Sequence, residues 1–352
     1  MKGRVAVIDE VAPGQPAAAL LDDRQLVDFL ADPPAGDLTP RAGEIFCARL
    51  ERPLKGLGGA IVDLGNGWSG YLRQTTGQRP GERILVQVSA CAEPGKAPPV
   101  TTRLTFKSRF AILTPGAPGI NVARRIRDEA ERDRLLRIAH EGLGGQADGA
   151  GLILRSACAG APGADISADI AALREVCKGV LAEQGRRTTG LVLAAPDAAT
   201  RAWRDWTDPV PDAVIEEAGA FERMDICGHI GSLMRPRADL PGGAWMEIEP
   251  TRALVAVDVN TGADFSPSAA LKANIAAARD LPRQLLLRGL GGQVVVDFAP
   301  LPKRDRRQVQ QALSAALRKD PVDTQVAGWT GLGHLELQRK RERRPLMEIV
   351  KP

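Results

Sequence analysis

Two aspartates close strand-like apolar runs between Glu249 and Pro300, and of all the side chains in this chain they are best suited to metal or phosphate chemistry. The first run reads Ala253-Leu-Val-Ala-Val-Asp258-Val-Asn260-Thr-Gly262, the second Gly291-Gly-Gln-Val-Val-Val-Asp297-Phe298. Val/Ala/Leu runs of this kind fit strands buried on both faces, and an Asp ending one sits at a strand's carboxyl edge, where open α/β sheets carry their sites. Between them, Ala270, Leu271, Ile275, Ala278, Leu281 and Leu285 to Leu287 recur at helical spacing, interrupted at Pro282. A strand, helix, strand unit of this length makes the two strands parallel and puts both aspartates at one end of the sheet. Adjacent strands lie about 5 Å apart, so the carboxylates can share a hard divalent cation. Magnesium takes one or two carboxylates and completes its shell with water and phosphate oxygens. Asn260 points to the same side and can hydrogen-bond a phosphate or water. A buried Asp that only caps a strand is the plain alternative; the pairing, with Asn260 and Thr261-Gly262 attached, weighs against it.

The elements that must position this pair sit in a chain of 352 residues, long enough for two or three domains. The net charge is only +4, but basic residues cluster at Arg124-Arg125-Ile-Arg127, Lys303-Arg304-Asp-Arg306-Arg307 and Arg339-Lys340-Arg341-Glu-Arg343-Arg344. Any one cluster reads as a solvated helix face; three beside paired carboxylates favour a polyanionic substrate. Five scattered cysteines without a C-x-x-C pair argue against a disulfide framework or zinc knuckle. Nothing reads as a signal peptide, and no apolar run approaches the roughly 18 residues of a membrane span. A cytoplasmic protein is expected.

Upstream, Arg4-Val-Ala-Val-Ile8 begins a strand, and the cluster Asp32-Pro-Pro-Ala-Gly-Asp37 marks a turn or linker. From Gly43 to Phe106, five short glycine-punctuated strands predict a small antiparallel barrel of OB-fold size. Such barrels stack bases on aromatics. Tyr71 is the best candidate, following the glycine turn rather than sitting mid-strand, with Ile61 and Trp68 near it. Gly65-x-Gly67-x-x-Gly70 matches a dinucleotide fingerprint only as a string, since no helix follows. A charged helix is expected over 128–142, a strand over 151–155 and a helix over 166–184. Arg155 and Ser156 at that strand's exit can hold a phosphate by charge-assisted hydrogen bonds, or Arg155 can be an ordinary surface arginine. Further strands are expected at 189–195 and 213–217, and helices at 198–206 and 304–319. His229 reads as structural.

With these residues in view, the chain resembles a bacterial endoribonuclease of the ribonuclease E/G family. Val257-Asp258-Val259-Asn260-Thr261-Gly262 is similar to the family's (I/V)D(I/V)N(S/T)G, and Val296-Asp297-Phe298 to its IDF. Asn274 through Gly292 follows its N-x-E-A-A-x-E-I-A-R-Q-L-R-L-R-x-L-G-G, and Gly333-His-Leu-Glu-Leu-Gln-Arg339-Lys-Arg341 its closing G-L-L-E-M-(S/T)-R-x-R. More weakly, Gly59 to Leu72 resembles the OB-type RNA-binding insert, and Gly151 to Ser156 the G-L-I-x-R-T of the 5′-end sensor.

The resemblance implies an α/β (α+β multidomain) fold. A ribonuclease-H-like subdomain (1–40 with 189–234) would be interrupted by an OB barrel (41–106) and a 5′-sensor (107–188), and a deoxyribonuclease-I-like catalytic subdomain (235–352) would follow. By the same resemblance Asp258 and Asp297 bind magnesium and Asn260 orients the attacking water or the phosphate. Arg155 and Ser156 receive a 5′-monophosphate with the backbone around Ser108 and Ile112. Tyr71, Lys96, Arg124, Arg339 and Arg341 contact RNA. The chain departs from the family at Ile61, which stands where a Phe is usual, at Thr330-Gly331-Leu332 in place of S-R-F, and at Asp323, near where an arginine helps close the sensor. It reaches Pro352 without the C-P-x-C pair, so no zinc-linked tetramer is expected and a homodimer stays open. The expected function is magnesium-dependent hydrolysis of single-stranded RNA, leaving 5′-phosphate and 3′-hydroxyl ends. The rival is a catalytically weakened RNA-binding or ribosome-associated protein of the same fold; a deoxyribonuclease is a weaker third.

Overall fold

Three alternating apolar segments open the chain as an antiparallel meander, β1 (Arg4–Ala12), β2 (Gln15–Asp22) and β3 (Gln25–Ala31). They belong to a computed structural model that describes residues 3–54, 58–75, 77–144 and 149–350. The chain divides into two compact units, Met1–Asp37 with Asp212–Pro352, and Leu38–Pro211.

In the second unit, β4 (Ile45–Pro53), β5 (Ala60–Gly65), β6 (Trp68–Leu72), β7 (Arg83–Val88) and β8 (Pro99–Thr101) run in the order β4-β5-β6-β8-β7, and β7 pairs back onto β4. The result is a closed five-stranded barrel consistent with an OB-fold. Closure removes the free edges that short strands otherwise expose. Leu50, Val62, Leu64, Leu72, Val86 and Val100 fill it. Asn66 and Gly67, at φ 52° and 79°, form the two-residue β5–β6 turn, a hairpin geometry that demands positive φ at both positions. The glycine string at 65–70 is therefore a hairpin. Tyr71 lies inside β6, not just beyond its turn as expected.

A second sheet, β11-β12-β10-β9, is built from β9 (Phe106–Lys107), β10 (Ala111–Thr114), β11 (Gly119–Val122) and β12 (Gly151–Leu154). Helices α1 (Glu129–Gly142) and α2 (Gly163–Ala182) share its core through Leu113, Leu135, Leu152, Leu154, Ile166 and Ile170. Asp128 caps α1 by accepting from the Glu131 amide, satisfying one of the free amides of the first turn. Next come β13 (Gly190–Leu193) and α3 (Ala198–Asp205). Strand β13 spends its hydrogen bonds on Ile45–Cys47 of β4, and the chain stays in the barrel's unit as far as Pro211.

In the first unit, β14 (Ala213–Glu216) joins β1 in parallel, giving β14-β1-β2-β3. The short helices α4 (Ala220–Arg223) and α5 (Ile226–Leu233) pack there around Phe29, Phe221 and Leu233. The last sheet comprises β15 (Arg237–Asp239), β16 (Trp245–Pro250), β17 (Val255–Asn260), β18 (Gly292–Asp297), β19 (Thr324–Trp329) and β20 (Leu335–Arg339), ordered β15-β16-β17-β18-β20-β19. Helix α6 (Pro267–Leu287) makes the β17–β18 crossover, α7 (Arg306–Leu317) follows β18, and α8 (Leu346–Ile349) ends the fold.

Two expectations for this unit need correction. Helix α6 runs through Pro282 unbroken; proline removes one i→i−4 bond, and the buried neighbours Ala278, Leu281 and Leu285 hold the helix against the sheet. Strands β17 and β18 are covered on one face only. Val255, Val257, Val259, Val294 and Val296 are buried in the core shared with α6 and α7, while Asp258, Gln293 and Asp297 are exposed. Ala256 and Val295 occupy outward positions with apolar side chains, so an alternating strand reads as a continuous run.

Candidate functional site

Strands β17 and β18 pair in parallel with Asp258 directly opposite Asp297, both exposed at the carboxyl edge. Asn260, on the same face, donates from Nδ2 to Asp258 Oδ2 at 2.9 Å. The chain leaves β17 through Gly262 (φ 75°), where a Cβ would fall 2.5 Å from the Gly243 carbonyl. Only glycine lets the strand turn away at that point. From the other side, antiparallel β20 brings His334 to the same edge, its Nε2 3.8 Å from Asp297 Oδ1. Glu247 of β16 lies opposite Asp258 on the same face.

Among the described residues, no arginine or lysine pairs with Asp258 or Asp297, and no three His, Cys, Asp or Glu side chains stand close enough to hold a metal together. Two unneutralised carboxylates with an amide beside them make a hard oxygen donor set. It fits a cation that keeps most of its shell for water and phosphate oxygens, as magnesium does.

The basic run that begins at the end of β20 does not belong to this edge. Because β20 is antiparallel to β18, Arg339 lies opposite Gly292, roughly 16 Å from the aspartates at 3.3 Å per residue. Arg339 is 1% exposed and doubly bonded to Asp320, with Thr324 Oγ1 accepting at 2.8 Å. Its expected RNA contact is corrected: the guanidinium is spent inside the protein. Arg341 packs at the same far end, where a Cβ on Gly292 would meet it. Arg343 and Arg344 pair with Asp28 and Asp37.

On the barrel, Tyr71 lies opposite Ile61, both half-buried beside the filled interior, and its hydroxyl donates to the Gly58 carbonyl at 2.9 Å. Lys96, in the turn entering β8, is ion-paired with Glu93 at 2.6 Å, a surface contact that a phosphate can displace at little cost. Arg124 is exposed in the segment before α1. Ser108, Ile112, Arg155 and Ser156 converge around β10 and the end of β12. Arg155 Nη1 donates to the carbonyls of Ser108 (2.5 Å), Arg109 (3.3 Å) and Arg204 (2.9 Å), and its Nη2 to Asp205 Oδ1 (3.1 Å). Ser108 Oγ donates to Asp169 at 2.5 Å. Burial alone would raise the Asp205 carboxyl, but the Arg204 hydrogen bond and the charges of Arg204, Arg155 and Lys107 carry it below its ordinary value. Two carboxylates thus line the place expected to receive a 5′-phosphate.

The model of the Ribonuclease E/G family matches residues 105–219 and 210–342, more than half of the chain. The chain belongs to the ribonuclease E/G family. It is 29% identical to Ribonuclease G of Escherichia coli (strain K12) over 366 residues, 88% of this chain and 74% of that protein. It is 30% identical to Ribonuclease E of Nostoc sp. over 362 residues, 87% of this chain and 52% of that protein. Ribonuclease G of Haemophilus influenzae is 27% identical over 369 residues, 88% and 74% of the two chains. Among the described residues of this ribonuclease E/G family chain, no helix is long and apolar enough to cross a membrane.

His334 and Glu247 lie beside the aspartates, and sequence spacing does not single them out as candidates. The signal was faint. His334 and Trp329 flank the β19–β20 turn, and only the antiparallel register of β20 on β18 brings that turn to the edge where Asp297 lies.

Proposed function

We propose that this chain is a magnesium-dependent endoribonuclease acting on single-stranded RNA. The observation that carries the reading is the Asp258–Asp297 register at the carboxyl edge of two parallel strands, in a chain of the ribonuclease E/G family. Asp258 and Asp297 would hold the cation, and Glu247 adds negative field beside them. When bound, a hard divalent cation supplies the positive charge that offsets charge gathering on phosphate oxygens and makes a water a better nucleophile. Asn260 fixes one Asp258 oxygen by hydrogen bond and turns its remaining polarity to the water or phosphate. The barrel face with Tyr71, Ile61 and Lys96, together with Arg124, would receive the unpaired strand by stacking and charge.

The four-part division expected from the family is supported in part by topology. The β14-β1-β2-β3 order, with one parallel strand beside an antiparallel meander, suits a ribonuclease-H-like subdomain, and the sheet carrying the aspartates suits a separate catalytic one. The same reading puts the protein in the cytoplasm.

Asp258→Asn and Asp297→Asn test it. Each substitution keeps size and removes a cation-binding charge, so cleavage should fall by at least about 10² while affinity for a single-stranded RNA is retained. Undiminished cleavage by both variants would remove the metal-site assignment.

A further inference from the structure

Arg306 is the first residue of α7, nine residues after Asp297 ends β18. Its guanidinium carbon lies 4.8 Å from the centre of the Trp329 ring. Trp329 is itself held: its Nε1 donates to Gln310 Oε1 at 3.2 Å, and its ring meets Phe298, the residue after Asp297, at 5.7 Å between centroids. On the other side Arg306 reaches the β19–β20 turn. A Cβ on Gly333 would fall 2.9 Å from Arg306 Nη2, and the next residue is His334, beside Asp297. Gly333 leaves the room that Arg306 occupies.

Arg306 is held differently from the basic residues around the end of β20. Arg339, Arg343 and Arg344 all spend their charge on carboxylates. Among the described residues no carboxylate pairs with Arg306, and its buried Nε has no hydrogen-bond partner. A guanidinium stacked on an indole is oriented without being neutralised. Its planar fork of N–H donors suits a phosphate better than any other common anion on a nucleic acid. Exposed Lys303, Arg304 and Arg307 add positive field at the same helix start.

We propose that Arg306, braced by Trp329, binds an RNA phosphate beside the Asp258–Asp297 pair and so positions the strand for cleavage. Two unneutralised carboxylates repel an approaching polyanion, and a fixed cation next to them offsets that repulsion without occupying the carboxylates. This rests on the endoribonuclease reading for its choice of ligand.

The test uses the full chain carrying Asp258→Asn, so that binding is read without cleavage. Anisotropy of a labelled A/U-rich single-stranded RNA is measured across a potassium chloride series, with and without Arg306→Gln. One lost phosphate contact should make the slope of log K against log salt shallower by about 0.7, with weaker affinity at every salt and an unchanged thermal midpoint. Arg306→Lys, which keeps charge but loses the stacked plane, should restore the slope and leave affinity low. An unchanged slope in Arg306→Gln overturns the proposal, including where its midpoint falls, because a purely structural arginine would move stability and not the salt dependence. Failure of the Asp258-intact protein to cut RNA would overturn the endoribonuclease reading alone; the binding series would still decide for or against Arg306.

Discussion

Asp258 and Asp297 stand side by side because one hydrogen-bond register sets them opposite each other, and Asn260 donates a hydrogen bond to an oxygen of Asp258. Nothing comparable gathers around Arg339, though it stands in the same kind of motif. It forms a buried ion pair with Asp320, the two side chains being 1% and 2% exposed, and removing one partner of such a pair leaves an uncompensated charge inside the protein. Arg339→Ala should therefore lower the unfolding free energy by about 3–5 kcal/mol, measured by urea denaturation, with RNA affinity unchanged at temperatures where the variant is folded. A loss of RNA affinity at unchanged stability would return Arg339 to the binding surface. Sequence spacing found the aspartates because each ends an apolar run, a local pattern. It could not separate Arg339, which points inward from β20, from Arg341, which follows the strand, since both read simply as basic. His334 escaped for a related reason: it is brought beside Asp297 by the pairing of β20 with β18, elements distant in the chain.

At the scale of elements, the β17, α6, β18 unit was legible from its periodicity, while its one-sided burial was hidden by Ala256 and Val295 on the open face. Pro282 misled because the cost of one missing hydrogen bond is small beside the packing of its buried neighbours. The sheet β11-β12-β10-β9 shows what sequence could not. Arg155 does exit a strand, as expected, yet its Nη1 donates to three carbonyls and its Nη2 to Asp205. A 5′-monophosphate must displace Asp205 and approach Asp169, so RNAs with 5′-monophosphate and 5′-triphosphate ends should be cut at similar rates. Asp205→Asn should raise the preference for the monophosphate; a strong preference in the unaltered protein would contradict this. Helix α1 offers a stability test. Hydrogen bonds from the Arg134 side chain and the Gly160 amide hold Glu131 at about 2, well below its ordinary 4.5. A carboxyl depressed by folding stabilises above its unfolded value and loses that contribution as pH falls from about 4.5 towards 2. Glu131→Gln should thus melt a few degrees lower, about 2–4 °C, at neutral pH, with the two melting curves converging as the pH is lowered through that window. A difference independent of pH would assign the effect to packing.

For the whole molecule, a net charge of +4 hides a division of labour among its basic residues. Arg339 at the end of β20, with Arg343 and Arg344 beyond it, holds the fold together through Asp320, Asp28 and Asp37. Among the described residues, Arg124 in one unit and Arg306 in the other have no carboxylate partner. The closed barrel is consistent with an OB-fold, and the family's match to 105–342 supports a chain that acts on RNA. The most direct measurement incubates the purified chain with an internally labelled, A/U-rich single-stranded RNA, with magnesium or with excess chelator, and identifies the ends of the fragments. Internal cleavage only in the presence of magnesium, leaving 5′-phosphate and 3′-hydroxyl ends and disappearing in Asp297→Asn, is the predicted result. Binding without cleavage at any magnesium concentration, or cleavage that persists in chelator, would contradict it.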